Sequence, residues 1–460
     1  MICRHAIIAV SAGFLLSLRG TEAPKSAVSA ATHPEPPPVL PSSRLKAAAI
    51  PLDRLLVRNV WAWSVQDFSA AFPAESFAWV TEKQDRAVFL RVPKKGQRVD
   101  LRLGDRLKPV QATVDFREGR PRRIELLIYT RGDAGSLTKT AFGDLTLETL
   151  SVMEGIFGPP DADSPSSGAR KAVKVRVTRW QTEVGKATLE TGAETTGDFR
   201  AEFVRVVFTP PGGAAKPPRV VRTDLTDHVR RDSASGDVWI DAVPMVDQGT
   251  KGYCVLASCQ RLFEYYGISV DQHELAQITG ASRHGTNLLK MQEALQKIDG
   301  RMQVRVRLLI APLSKQDDYF RLMQDYNQAA RRTGKPELDY RKVTYDIATL
   351  DPPSLREAKL KGPGFDKFVR MVRESTEKGI PLLWALELGM YPESGASRAI
   401  EATSHVRLII GFNLRTRELL FSDTWGRGHE CKRMAAADAF AATMGLYLME
   451  PLARRAAATP

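Results

Sequence analysis

The stretch Gln248-Gly249-Thr250-Lys251-Gly252-Tyr253-Cys254 decides how the C-terminal half of this chain is interpreted. Apolar side chains recur at helical spacing after it, and the predicted helix ends at Gly267. A cysteine at a helix N-terminus meets free backbone N–H groups, which favour thiolate over thiol. Gln248 can offer its side-chain amide to a developing oxyanion. The segment predicts a nucleophile and an oxyanion donor, although a buried inert cysteine and a turn glutamine also fit it.

Two residues downstream have the chemistry that such a nucleophile needs. His405 opens the apolar run 406–412, a predicted buried strand, and Asp423 closes the next predicted strand, 418–422. A histidine at the start of a rigid strand can act as a general base, and a carboxylate beside it can fix which ring nitrogen is protonated. A lone histidine at a strand start is more often structural. The order Cys254, His405, Asp423 favours the catalytic interpretation.

These segments resemble the papain-like cysteine peptidases. The chain carries Q-G-x-x-G-x-C at 248–254, a histidine-led strand that ends in Gly411-Phe412-Asn413, and the tetrad Asp423-Thr424-Trp425-Gly426. They are similar to the Gln, Cys, His and Asn-Ser-Trp-Gly signatures of that superfamily. The resemblance covers about residues 238–450 and implies a papain-like catalytic domain.

The resemblance also implies roles for individual residues. It implies Cys254 as nucleophile, His405 as base, Asp423 as the residue that orients the base, Gln248 in the oxyanion hole, Trp425 as a shield of the histidine–aspartate bond, and Gly252 as a supporting residue. Such an enzyme cleaves a peptide or protein substrate through an acyl-enzyme intermediate.

Two positions depart from the plant and lysosomal members of the superfamily. Val255 stands where those members carry tryptophan, and Asp423 replaces the usual asparagine. The aspartate, with the helix that ends in Tyr265-Tyr266-Gly267, is similar to the bacterial branch that includes bacteriocin-leader (double-glycine) peptidases.

The chain divides into six predicted parts. Residues 1–30 have the basic start and short apolar run of a secretory signal peptide, which predicts export to the periplasm or the extracellular space. The other parts are a Pro/Ala-rich linker (31–44), a mainly β accessory domain (45–209), a second linker (210–236), the peptidase domain (237–452) and a tail (453–460). Within 237–452, predicted helices come first and strands later, which indicates an α+β domain.

Composition limits the classes of function. The hydrophobic share of 43% and the charged share of 26% are ordinary for a soluble globular protein, with no membrane span predicted beyond the signal segment. The net charge is 66 minus 53, or +13, but the basic residues form no dense stripe, so nucleic-acid binding is not expected. Export would leave Cys254, Cys259 and Cys431, an odd number that keeps at least one thiol free. A disulfide between Cys259 and Cys431 is conceivable, whereas Cys259 inside the helix fits a buried inert thiol.

Competing interpretations remain open at this point. A zinc peptidase is disfavoured because His273-Glu274 is followed by Leu275-Ala276-Gln277, without the second histidine of H-E-x-x-H, and no metal or cofactor is predicted. A transglutaminase-like acyltransferase uses the same Cys, His, Asp order. A catalytically silent peptide-binding protein of the same fold is the third alternative. The oligomeric state is not predicted.

Overall fold

The computed structural model combines helices with antiparallel sheets, so the α+β class is confirmed. It describes residues 49–57, 59–91, 99–166, 175–195, 197–212, 224–249, 252–279, 288–298, 302–313, 315–394 and 404–452. The predicted signal peptide (1–30), the first linker (31–44), residues 213–223 of the second linker and the tail (453–460) lie outside these residues. No helix within the described ranges is long and apolar enough to cross a bilayer.

The strands form one small sheet and two large ones. They are β1 (Ala49–Pro51), β2 (Ala78–Trp79), β3 (Arg86–Leu90), β4 (Asp100–Arg102), β5 (Gln111–Arg117), β6 (Arg120–Thr130), β7 (Ala162–Ser166), β8 (Val175–Gln181), β9 (Lys186–Glu194), β10 (Arg200–Thr209), β11 (Val229–Arg231), β12 (Asp237–Ile240), β13 (Val304–Ile310), β14 (Leu382–Glu387), β15 (Ser404–Asn413), β16 (Glu418–Ser422), β17 (Lys432–Ala435) and β18 (Thr443–Pro451).

Most helices belong to the C-terminal half of the chain. They are α1 (Val65–Ala71), α2 (Arg131–Ala134), α3 (Lys139–Phe157), α4 (Cys254–Tyr265), α5 (Gln272–Thr279), α6 (Leu288–Ile298), α7 (Gln316–Arg332), α8 (Pro352–Leu360), α9 (Gly364–Glu377) and α10 (Ala436–Ala442). Short 3-10 turns occupy Leu52–Leu56, Val60–Ala62, Ala74–Ser76, Thr226–His228 and Ile347–Thr349.

The N-terminal region, hereafter the β domain, is mostly strand, as predicted. Eight antiparallel strands follow the order β2-β3-β5-β6-β10-β9-β8-β7. Its core contains the aromatic cluster around Phe68 and the fully buried Trp180. β10 is buried at almost every position because α3 contacts it from the β domain and α5 contacts it from the C-terminal domain. The central strands of the β domain therefore serve both its core and an interdomain contact.

The C-terminal domain has a sheet ordered β11-β12-β15-β14-β18-β13, with β16 added to β15 and β17 to β16. The predicted order of helices first and strands later is wrong, because β11 and β12 precede α4 and β13 lies between α6 and α7. β11 lies inside the stretch 210–236 that was predicted as a linker, and it pairs with β12. β12 has too few residues to show the two-residue period of a strand. β13 alternates apolar and polar residues at its start, but it was not recognised as a strand because it stands alone between helices.

One end of this sheet carries the predicted reactive residues. α4 packs against β15, and Leu256, Cys259 and Phe263 share one apolar core with Val406 and Leu408. A second core, with Phe368 of α9 and Phe421 of β16, involves α9 and α10. Because α4 packs against β15, the N-terminus of α4 lies toward His405, the second residue of that strand. The predicted strand at Leu382–Glu387 is confirmed as β14, with Leu386 opposite His405.

Candidate active site

Cys254 is the first residue of α4, as the sequence predicts. Its side chain is half buried, and Tyr253 before it occupies the N-cap position. The N–H groups of the first turn have no intrahelical partner, so the sulfur lies where negative charge is favoured. Cys259 is fully buried in the apolar core, and burial, helped by Cys254, raises the pKa of its thiol to about 12. Only Cys254 of this pair is placed to react.

The structure brings His405 and Asp423 into direct contact. The His405 Nε2 atom lies 2.7 Å from Asp423 Oδ1, and both side chains are buried. The His405 imidazole is also hydrogen-bonded to Cys254. Since Nε2 faces the carboxylate, Nδ1 is the nitrogen available to the sulfur. The three residues singled out from sequence thus form one continuous chain of contacts.

The charges around His405 stabilise its protonated form. Burial alone would lower the pKa of His405, but the Asp423 carboxylate, with Cys254 acting in the same direction, raises it to about 9. Burial alone would raise the pKa of Asp423, yet His405 and Arg407 hold that pKa well below its usual range. The protonated imidazolium beside the Asp423 carboxylate is therefore the favoured state of His405 near neutral pH.

Trp425 covers the histidine. Its ring stacks on the His405 ring with a centroid distance of 4.7 Å and an interplanar angle of 26°. The indole therefore covers one face of the imidazole beside the His405–Asp423 bond. Exclusion of water from such a bond strengthens it, because the local dielectric constant falls.

Gln248 is held by the segment that also carries the acid. Its backbone N–H donates to the Thr424 carbonyl oxygen at 3.0 Å, and its side-chain Oε1 accepts from Thr424 Oγ1 at 2.6 Å. Engagement of Oε1 fixes which end of the amide is the NH₂ donor. Gly252 lies in the turn into α4 and is half buried. The two loops that flank the site are thereby bonded to each other through Gln248 and Thr424.

Arg407 is a site residue that the sequence analysis missed. Its Nε donates to Asp423 Oδ2 at 2.7 Å, while His405 and the Thr424 N–H at 2.8 Å occupy Oδ1. The guanidinium is fully buried and also binds Glu393, with Nη1 2.5 Å from Oε2. The signal was present, because residues i and i+2 of a strand share a face and His405 and Arg407 have that spacing.

Arg261 is a second missed residue, and it links the nucleophile helix to the acid. It lies in α4, and its Nη1 donates to the Asp423 backbone carbonyl at 2.8 Å. Its Nη2 donates to Ser422 Oγ at 2.5 Å and its Nε to the Pro244 carbonyl at 2.6 Å. Burial lowers the pKa of this guanidinium to about 10. Nothing in its sequence neighbourhood distinguishes it from a surface arginine of an amphipathic helix.

The other sequence predictions concern thiols, a loop and metals. Cys259 and Cys431 are free thiols, one buried and one exposed, so the conceivable disulfide is absent between these described residues. The predicted rim loop, residues 284–287, lies outside the described residues. Over the described part of the chain, no cluster of three His, Cys, Asp or Glu side chains is arranged to hold a metal ion.

The geometry fits acyl transfer through sulfur. A half-buried cysteine at a helix N-terminus contacts a histidine, the histidine contacts a buried carboxylate, and an oriented amide lies in the preceding loop. Groups of these types and in this order have the chemistry that a nucleophile, a proton carrier, an orienting group and an oxyanion donor require.

Comparison with known proteins agrees with this chemistry. Residues 240–447 match the model of the Peptidase_C39 like family, and this range spans Gln248, Cys254, His405 and Asp423. No curated protein matches the chain. The match supports a peptidase of the cysteine type.

Proposed function

We propose that this protein is an exported cysteine peptidase that cleaves peptide bonds through a Cys254–His405–Asp423 triad. The observation that carries the proposal is the continuous contact from Cys254 through His405 to Asp423, inside the region similar to C39-like peptidases. We assign the C-terminal domain a papain-like fold, nearest the bacteriocin-leader peptidase-like branch. Export rests on the sequence of residues 1–30.

In the first half-reaction the Cys254 thiolate attacks the carbonyl carbon of the scissile peptide bond. Negative charge moves to the carbonyl oxygen, where the Cys254 backbone N–H and the Gln248 amide donate hydrogen bonds. His405, protonated at the start, gives its proton to the leaving amine as the C–N bond breaks. The new amino terminus departs and an acyl-enzyme thioester remains.

In the second half-reaction water replaces the amine. Neutral His405 takes a proton from the water, whose oxygen attacks the thioester carbonyl. The C–S bond then breaks, the carboxylic acid product leaves, and the thiolate–imidazolium pair is restored. Throughout, Asp423 accepts from Nε2 and keeps Nδ1 directed at the reacting atoms.

Full-length protein incubated with a peptide library provides the test. Wild type should generate new amino termini, and Cys254→Ala should lower the cleavage rate at least about 10⁴-fold, because the covalent path is lost. Cys259→Ala, a change five residues along the same helix in the apolar core, is the matched control and should retain cleavage. Mass spectrometry of the products measures all three rates.

A second measurement separates the alternatives. Iodoacetamide should alkylate Cys254 at neutral pH faster than it alkylates a model thiol. Peptide mapping distinguishes alkylation of Cys254 from that of Cys259 and Cys431. Equal cleavage by Cys254→Ala would refute the triad. Slow alkylation with no cleavage would indicate a silent binding protein, and ammonia release with isopeptide products would indicate an acyltransferase.

A further inference from the structure

Residues 241–249 and 252–253, the described part of the connection between β12 and α4, carry Gln248 and lead into Cys254, and the β domain contacts this connection at Met245 and at Tyr253. At the first end, Arg86 of β3 donates through Nη1 to the Met245 carbonyl at 3.1 Å. The same guanidinium lies 3.5 Å from Glu264 Oε2 in α4. Met245 also packs with Val80 and Val88 of the β domain in a small buried cluster.

At the second end, the β domain contacts the N-cap residue of the nucleophile helix. The Tyr253 side chain is hydrogen-bonded to Thr130 at the end of β6 and is 1% exposed. Thr130 Oγ1 also lies 3.2 Å from His273 Nδ1 in α5, and the Tyr253 and His273 rings lie 6.2 Å apart. Tyr253 is therefore held between the β domain and α5, directly before Cys254.

The loop after the acid has a contact of the same kind. Arg427, two residues beyond Trp425, forms a bidentate ion pair with Glu82 in the β2–β3 turn, with both N–O distances 2.7 Å. The Glu82 backbone N–H donates to Glu430 Oε1 at 3.3 Å. This pair is exposed and so contributes little energy by itself. It shows that the β domain also reaches the loop next to Gln248.

A separate set of contacts holds the two domains together at α5. Arg205 of β10, 3% exposed, binds Asp271 and Glu274, and Arg200 donates to the Gln277 carbonyl at 3.2 Å. Removal of one partner from a buried ion pair strongly destabilises the folded protein, because the other charge is left buried and unpaired. The β domain is thus held firmly at α5 while Arg86 and Thr130 reach the loop.

We propose that the β domain is an integral part of the active site, in which Arg86 and Thr130 are positioning residues for the loop that carries Gln248 and for Cys254. This inference rests on the proposed function. It differs from a removable inhibitory segment or a spacer, since either of those would leave the site more active or unchanged once its contacts were weakened.

Thr130→Val tests the inference in the full-length protein, because valine is branched at Cβ like threonine and lacks the hydroxyl. We expect kcat to fall about tenfold with KM within twofold, since the Thr130 hydroxyl loses its bonds to Tyr253 and His273, together with the one it accepts from the Gly132 N–H. Backbone amide exchange in 245–257 should become faster, and Thr130→Ser should restore both properties. Thr188→Val, in β9 of the same domain, is the matched control.

Arg86→Met tests the other end of the loop, and Arg120→Met is its control because Arg120 donates to the Ala62 carbonyl within the β domain. We expect Arg86→Met to accelerate amide exchange in 245–257 and to slow Cys254 alkylation, with little change for Arg120→Met. Unchanged exchange in both Thr130→Val and Arg86→Met would overturn the inference even if the protein cleaves peptides. Faster amide exchange in a protein that cleaves no peptide would refute the proposed function. It would still support the contact of Arg86 and Thr130 with the segment before Cys254.

Discussion

Arg205 and Arg407 are both buried among carboxylates on strands of eight-stranded antiparallel sheets, yet they face different neighbours. Arg205 is 3% exposed and binds Glu190, with Nη2 2.6 Å from Oε2, as well as Asp271 and Glu274 across the domain boundary. Arg407 is 0% exposed and binds Asp423 and Glu393. Each arginine pairs with one fully buried acid, Glu274 or Asp423, and with acids that are only partly buried.

The two arginines differ in what else their partner carboxylates contact. The acids around Arg205 complete a contact between two domains. Asp423 instead binds Arg407 through Oδ2 and His405 through Oδ1, and His405 is hydrogen-bonded to Cys254. A buried ion pair acquires a chemical consequence when one partner also sets the charge of a group that titrates near working pH. The predictions below test this distinction, from the largest expected effect on activity to the smallest.

Asp423→Asn removes the shared charge and should have the largest effect. We expect kcat/KM to fall about 10³-fold, because the imidazolium loses its anionic partner and its fixed orientation. The pKa of His405 should move down from about 9 toward its ordinary value near 6.5. The alkylation rate of Cys254 against pH measures that shift without a peptide substrate, and an unchanged profile would contradict the role of Asp423.

Arg407→Met should reduce kcat/KM about 30-fold, because Asp423 loses one charged hydrogen bond that fixes its carboxylate. The pKa of His405 should rise above about 9, since the removed positive charge had opposed protonation of the imidazole. Arg415→Met is the control, as Arg415 donates to the backbone carbonyls of Ser233 and Ala234 at the surface. A fall in activity without a shifted profile would make Arg407 a purely structural residue.

The pH profile of the wild-type protein follows from the same charges. Because the pKa of His405 is raised to about 9, kcat/KM should fall about tenfold per pH unit above 9. The raised pKa also contributes free energy of unfolding that is fully present below about 6.5 and is lost as the pH rises through about 9. Chemical denaturation at several pH values checks this sign, and stability that rises between pH 7 and 10 would contradict it.

Arg205→Met should show the smallest effect on activity and a large one on stability. Removal of one partner from a buried ion pair costs about 3 to 5 kcal/mol of unfolding free energy. We expect kcat/KM to change less than about threefold and the pH profile to stay in place, because Arg200 and Thr130 still contact the C-terminal domain. A shifted pH profile of kcat/KM would mean that Arg205, like Arg407, affects the charge of His405. The distinction between the two arginines would then be wrong.

Much of the fold and of the site could be predicted from local patterns. The helix from Cys254, the strand from His405 and the residue order through Asp423 each follow from periodicity or turn signals within a few residues. β11 was missed because three residues are too few to show a period, and β13 because it stands alone between helices. Arg261 was missed because its partners at the site, Ser422 and Asp423, lie 161 and 162 positions away along the chain.

The sequence by itself determined the chemical groups, their order and the elements on which they lie, because helix periodicity, strand alternation and residue chemistry are local properties. Only the tertiary structure decided that Arg407 and Arg261 brace Asp423 and that Arg86 and Thr130 reach the loop before Cys254. Those contacts arise because sheet pairing and domain packing place distant segments within hydrogen-bond range, and a linear sequence does not encode such distances directly.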